Sequence, residues 1–230
     1  MIYTSKKLSP VRAISEHCGT GACMNVLNYF WGTTFDLKDT LDIETMIRFG
    51  HFEWNERPAE TDIIYFLAQM GFKIEVFSRD IGDWSIYLSD PKLHQEKHGY
   101  TSHPLVDTEL GLLTAKKLAM HPNYILVEDS SLNIASVIKS MSDWKHMFLF
   151  GLDRNVIDRT ESTDNSVNWH IMSSMGYTSL ESDKIWLIET SPAAEIIERT
   201  YEEIQAAQEF LSPQYKGPKG EIIVISLMNS

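Results

Sequence analysis

Apolar residues recur at helical spacing through Ala22, Cys23, Val26, Leu27 and Phe30, and this stretch predicts a buried helix whose first turn begins at Cys18. A short strand and loop over residues 1–17 lead into it. Leu37, Leu41, Ile43, Met46 and Ile47 give a second, less regular helix near 37–49, followed by a loop at 50–58. Ile63, Ile64, Phe66, Leu67 and Met70 mark a clear helix near 59–70, which Gly71 stops. Lys73 to Phe77 then alternates as a strand does.

The next stretch is less regular. Asp90-Pro91 opens a short helix that stops at Gly99. Asp107 caps another through Leu110, Leu113 and Leu118, closing before Pro122. Tyr124 to Glu128 reads as a strand, and Ser131 as the cap of a helix on Ile134, Val137, Ile138 and Met141. Met147 to Leu152 is a buried strand. Asp153 to Ser166 is polar and reads as a loop. Strands follow at 167–177 and 185–190, joined by a turn at 181–184. Ser191-Pro192 supplies a cap and first helical position for a helix to about Phe210, carried by Ile196, Ile197, Tyr201 and Ile204. Glu221 to Leu227 is a terminal strand. Helices first and mostly antiparallel strands after them define the α+β class. No repeat or linker divides the chain, so residues 1–230 are expected to form one domain, with two lobes around a cleft.

Composition narrows the partners. The 230 residues are 43% hydrophobic and 23% charged, an ordinary globular balance. A net charge of −12 speaks against nucleic acid and anionic membranes, which require Lys/Arg footprints, and suits a basic peptide or protein. The two cysteines, Cys18 and Cys23, lie on one helix too far apart to bridge, and a reducing compartment is expected. Met1 to Lys7 has no apolar run behind its charges, so no signal peptide is read there. No apolar stretch reaches transmembrane length. The expected location is cytoplasmic, with delivery by a non-cleaved route left open.

The candidate chemistry begins at Cys18. A thiol on the first turn of a helix faces unpaired backbone N–H groups and the positive end of the helix dipole, which favour the nucleophilic thiolate. The same N–H groups can stabilise an oxyanion. Gly19 and Gly21 permit a tight turn and leave room beside the sulfur. The plainer alternative is a small buried cysteine at a helix start. The segment Cys18-Gly19 followed by an apolar helix ending Val26-Leu27-Asn28-Tyr29 resembles the nucleophile segment of papain-like cysteine peptidases. The likeness is closest to the bacteriocin-processing, double-glycine-leader peptidase group, and phytochelatin synthases carry a similar helix. Ile63 to Met70, then Gly71-Phe72, also resembles that group, relative to whose smallest members residues 80–120 read as an insertion.

A second motif joins the first. Asn168-Trp169-His170, the strand to Gly176-Tyr177, a turn, then Lys184 to Glu189 and Ser191-Pro192 resemble the histidine hairpin of the same group. The resemblance implies a papain-like fold in which His170 takes the Cys18 proton and later protonates the leaving amine. The group places Asp directly before that Pro, where this chain has Ser191. Glu189, two residues earlier, points to the same side of the strand and is the favoured orienting residue, with Ser191 and Asn168 as alternatives. The group's oxyanion Gln has no counterpart in residues 1–17; Arg12, Ser15 or backbone N–H groups are the substitutes.

Other residues are weaker candidates. His94 and His98 lie at i and i+4 without a third ligand and read as surface histidines. His17 reads as a cleft residue and Cys23 as core. No phosphate-cradling loop or metal cluster appears, so no cofactor or metal is expected. The implied function is a cysteine peptidase acting on a peptide or protein through Cys18, His170 and Glu189. Alternatives are acyl or γ-glutamyl transfer or glutamine deamidation at the same site, and a catalytically inactive peptide-binding member.

Overall fold

A computed structural model describes residues 10–14, 17–48, 60–78, 81–98, 109–128, 133–141, 144–159, 169–177, 182–190, 194–211 and 221–228. Its elements are α1 (Cys18–Trp31), α2 (Thr40–Ile47), α3 (Glu60–Gln69), β1 (Phe72–Ser78), α4 (Ile81–Ser89), α5 (Pro91–His98), α6 (Glu109–Ala119), β2 (Tyr124–Glu128), α7 (Ile134–Ser140), β3 (His146–Asp153), α8 (Arg154–Ile157), β4 (Trp169–Tyr177), β5 (Lys184–Glu189), β6 (Glu195–Thr200), α9 (Tyr201–Leu211) and β7 (Ile222–Leu227). Seven strands form one sheet in the order β2-β1-β7-β3-β4-β5-β6. Only β1 and β2 pair in parallel; every other neighbour is antiparallel. This is the expected α+β architecture, with the N-terminal helix packed on a mostly antiparallel sheet.

The sheet separates two apolar cores because its central strands are apolar on both faces. Met147, Leu149, Ile171, Ile188, Ile223 and Ile225 join residues of α1, α3, α4 and α6 on one side. Phe148, Phe150, Leu152, Met172, Leu187, Ile222 and Val224 join α7 and α9 on the other. That explains why β3 and β7 read as continuous apolar runs rather than alternating ones. Helix α1 ends where Gly32 adopts φ +68°, and the Gly32 N–H donates to the Asn28 carbonyl at 3.1 Å.

Several expectations require correction. The helix expected from 191 to 210 begins only at Tyr201, because Glu195–Thr200 forms β6 along the full length of β5. Ile188 pairs with Ile196 and Leu187 with Ile197, and Lys184 reaches Glu198 at 2.7 Å. Paired β-branched side chains favour the strand. A reciprocal capping box then starts α9: the Glu203 N–H donates to Thr200 Oγ1 at 3.2 Å, and the Thr200 N–H to Glu203 Oε2 at 2.8 Å. Helix α4 was not expected. Helix α7 is capped by Asn133, whose side chain accepts from the Ser136 N–H at 3.1 Å; Ser131 lies outside the described residues. The polar stretch after Asp153 contains a short helix, α8, because the Asp153 side chain accepts from the Val156 N–H. Residues 10–14 are not a strand, although the Ala13 N–H donates to the Thr190 carbonyl at 2.9 Å. The loop expected at 50–58 and the cap at Asp107 lie outside the described residues. Among the described residues no helix is long and apolar enough to cross a membrane.

Candidate active site

The register of the sheet opens the site. Strand β4 pairs with β3 from Trp169 onward, but its pairing with β5 runs only from Ser173. The edge of β4 at His170 and Ile171 therefore faces a gap in the ladder, and the N-terminal turn of α1 fills it. The Ile171 N–H donates to Cys18 Sγ at 3.5 Å instead of to a strand partner. Two contacts seat the helix. A Cβ on Gly19 would lie 2.5 Å from Ile63 Cδ1, and one on Gly21 would lie 2.7 Å from Thr190 Cβ and 2.9 Å from Ala13 Cβ. Both glycines lie inside α1, so they serve close packing rather than the turn expected from the sequence. Asn25 adds a polar tie: its Oδ1 accepts from the Val11 N–H at 3.0 Å, and its Nδ2 donates to Ser173 Oγ at 3.1 Å.

Alternation along β4 sends Ile171 and Ser173 toward α1 and His170 and Met172 toward the other face. The ring of His170 nevertheless lies near enough to Cys18 for each to shift the other's proton affinity, because the gap between β4 and β5 lies beside it. His170 Nε2 bonds Glu189 Oε1 at 2.8 Å. Glu189 Oε1 also accepts from the Thr190 N–H at 2.8 Å. Cys18, His170 and Glu189 are 6%, 5% and 2% exposed, so the three groups interact in a site nearly closed to water.

The electrostatics follow from these contacts. Burial pushes the Cys18 thiol up, but the hydrogen bond and charge of His170 and the Ile171 and Gly19 N–H groups outweigh it, and the net direction is down from 9.0. Burial pulls His170 down, but Cys18 and Glu189 raise it from 6.5 to about 9. Both shifts favour a thiolate–imidazolium pair. Cys23, fully buried without such partners, is pushed well above its ordinary value and is a core residue, as expected. The structure thus brings together the three residues singled out in the sequence.

The remaining candidates fall elsewhere. Ser191, Asn168 and Ser15 lie outside the described residues, and Arg12 is exposed. The helix has no side-chain cap, which leaves the backbone N–H groups of its first turn as the donors in place for an oxyanion. His17 does not line up with the sulfur: its Nδ1 bonds Glu44 Oε2 on α2, the atom that also accepts from Thr20 Oγ1 at 3.1 Å. His94 is a correction to the surface reading. It is fully buried and packs edge-on against Tyr87, with ring centroids 5.1 Å apart. The side chain of His98 is outside the described set. Among the described residues no cluster of three or more His, Cys, Asp or Glu suits a metal ion.

Sequence reasoning missed Glu44 and Arg154. Glu44 sits at helical spacing inside α2 and looks like surface charge. Arg154 lies in the stretch read as a polar loop, yet its Nη2 is 3.9 Å from Glu189 Oε2. The Asp153 cap pattern was the one local signal that this stretch is ordered.

No family model and no curated protein matches the chain. Among solved structures it is similar to the peptidase domain of Streptococcus ComA, described as a bi-functional ABC transporter involved in a quorum sensing pathway. The alignment covers 96% of this chain and 100% of that domain at 8% identity, with a TM-score of 0.48.

Proposed function

We propose that the chain is a cysteine peptidase-like hydrolase whose nucleophile is Cys18, with His170 as general base and acid and Glu189 as its orienting partner. The observation that carries this reading is the buried chain of contacts from the Cys18 sulfur through the His170 ring to the Glu189 carboxylate. The thiolate attacks a peptide carbonyl, and the oxyanion turns toward the N–H groups at the start of α1. Collapse of that intermediate breaks the C–N bond while His170 gives its proton to the leaving amine. The thioester is then hydrolysed by a water whose proton His170 accepts, and the thiolate is restored. Glu189 holds Nε2–H and balances the imidazolium. The substrate is a peptide or protein segment, and the net charge of −12 suits a basic one.

A second reading shares every step to the thioester: an amine, in place of water, takes the acyl group and gives its proton to His170. The low exposure of Cys18 and His170 favours it, since a site that excludes water protects a thioester long enough for transfer. Glutamine deamidation belongs to the same scheme, with ammonia as the leaving group.

The test is intact-mass detection of a covalent adduct with a peptide vinyl sulfone. The wild-type protein gains one adduct mass at Cys18 and Cys18→Ala gains none. An adduct that persists in Cys18→Ala overturns the assignment. Product analysis with and without an added amine then separates hydrolysis from transfer.

A further inference from the structure

We propose that Arg154 is a positioning residue of this site, the fixed counter-charge that lets the His170–Glu189 pair release its proton. The inference rests on the Cys18–His170–Glu189 reading above. Glu189 is 2% exposed, and a buried carboxylate needs a cation. While His170 is protonated, the imidazolium is that cation. Once in each turnover His170 stands neutral: in the acyl-enzyme, after it has protonated the leaving group and before it takes a proton from the acceptor. In that state Glu189 would be a bare buried anion but for Arg154, whose Nη2 lies 3.9 Å from Glu189 Oε2.

The chain aims that guanidinium deliberately. Arg154 follows directly on Asp153 of β3, whose partner on β4 is Trp169, the neighbour of His170. Asp153 caps α8, and Asp158 fixes Arg154 from one turn on, accepting from Arg154 Nε at 2.9 Å. The charged or titratable groups placed beside the pair are Cys18 from α1, Arg154 from α8 and Glu195, which pairs with Glu189 from β6. Arg154 is the one permanent cation in this described set.

The sign of the effect follows. Loss of the proton from His170 takes the pair from neutral to negative. Arg154 stabilises the negative state more than the neutral one, so removing it makes the proton harder to lose. Arg154→Met should therefore raise the apparent pKa of the pair. Glu189→Gln should do the opposite, because it removes the anion that holds the imidazolium. A merely structural role for Arg154 would open the site to water and move the value toward 6.5 instead.

The experiment needs no substrate. Cys18 is alkylated with iodoacetamide, which removes its charge as the acyl-enzyme does, and His170 is titrated through its 15N imidazole shifts. The expected result is an upward shift of about one pH unit or more in alkylated Arg154→Met relative to alkylated wild type, a tenfold change in proton affinity. Arg154→Lys recovers most of it, and Arg154→Met in a Glu189→Gln background shifts little further, since Arg154 acts through Glu189. Arg159→Met, which removes an exposed arginine bound to Glu203, is the control and leaves the titration in place. An unchanged or lowered value in Arg154→Met, with the Glu189→Gln shift intact, overturns the role of Arg154 alone. Failure of Cys18 to alkylate ahead of Cys23, or no downward shift in Glu189→Gln, overturns the underlying reading instead.

Discussion

Two histidine–glutamate pairs flank Cys18, and they differ in what the histidine has left to offer. His170 bonds Glu189 through Nε2, and its charge helps to lower the Cys18 thiol. His17, the residue adjoining Cys18 in sequence, bonds Glu44 on α2 through Nδ1, and the same Glu44 oxygen holds Thr20 of the first turn. One pair lies beside the thiol; the other clamps the helix that carries it. Adjacency in sequence is a poor guide here, because consecutive residues at a helix start diverge. The residue 152 positions away arrives because β4 and β5 part at the right place.

The comparison is broken most directly by removing each histidine. His170→Ala should slow alkylation of Cys18 near neutral pH by roughly two orders of magnitude, because a thiol without its imidazolium partner is mostly protonated there. His17→Ala should leave the rate within a few-fold once its folded fraction is matched by circular dichroism. Equal losses would mean that His17 also serves the sulfur.

The glutamates give the next largest contrast. Activity should follow a bell, with its alkaline limb near 9 where His170 loses its proton and its acid limb set by the lowered Cys18 thiol. Glu189→Gln should move the alkaline limb from about 9 toward 6.5, while Glu44→Gln leaves it in place. Glu44→Gln should instead lower stability by about 1–3 kcal/mol, read by urea unfolding, because it disturbs a buried acceptor of two hydrogen bonds. A pH limb that moves equally in both variants would erase the distinction.

The two glycines sharpen it further. Gly21→Ala presses on Thr190 and Ala13 next to Glu189 and should cost about 1–3 kcal/mol. Gly19→Ala presses on the flexible end of Ile63, with Ile171 Cδ1 at an ordinary contact distance of 3.4 Å, and should cost less in thermal unfolding. The reverse order would mean that α1 is seated chiefly from the α3 side.

Much of this was legible in the chain. The 3.6-residue period of α1 and α3, the alternation of β1 and the Gly stops depend on local pattern, and their bounds agree within two residues. Glu189 was reached by strand parity counted back from Ser191, the position that the family resemblance gives to an orienting Asp, since residues two apart share a face. What failed were places where tertiary pairing overrides local signals. Ile196 and Ile197 fit helix or strand, and only pairing with β5 decides between them; the Thr200–Glu203 capping box was the signal for the true helix start. His94 looked exposed because its neighbours are polar, yet Tyr87 of the preceding helix covers it. Arg154 was hidden because a polar stretch does not announce which charge turns inward.

The most direct test of the account is the alkylation rate of each cysteine by iodoacetamide as a function of pH, resolved by peptide mass mapping. The account predicts that Cys18 reacts rapidly below neutral pH and that Cys23, fully buried and raised, stays unlabelled until the protein unfolds. Equal, slow labelling of the two, with Cys18 rising only near the ordinary thiol range, would contradict it.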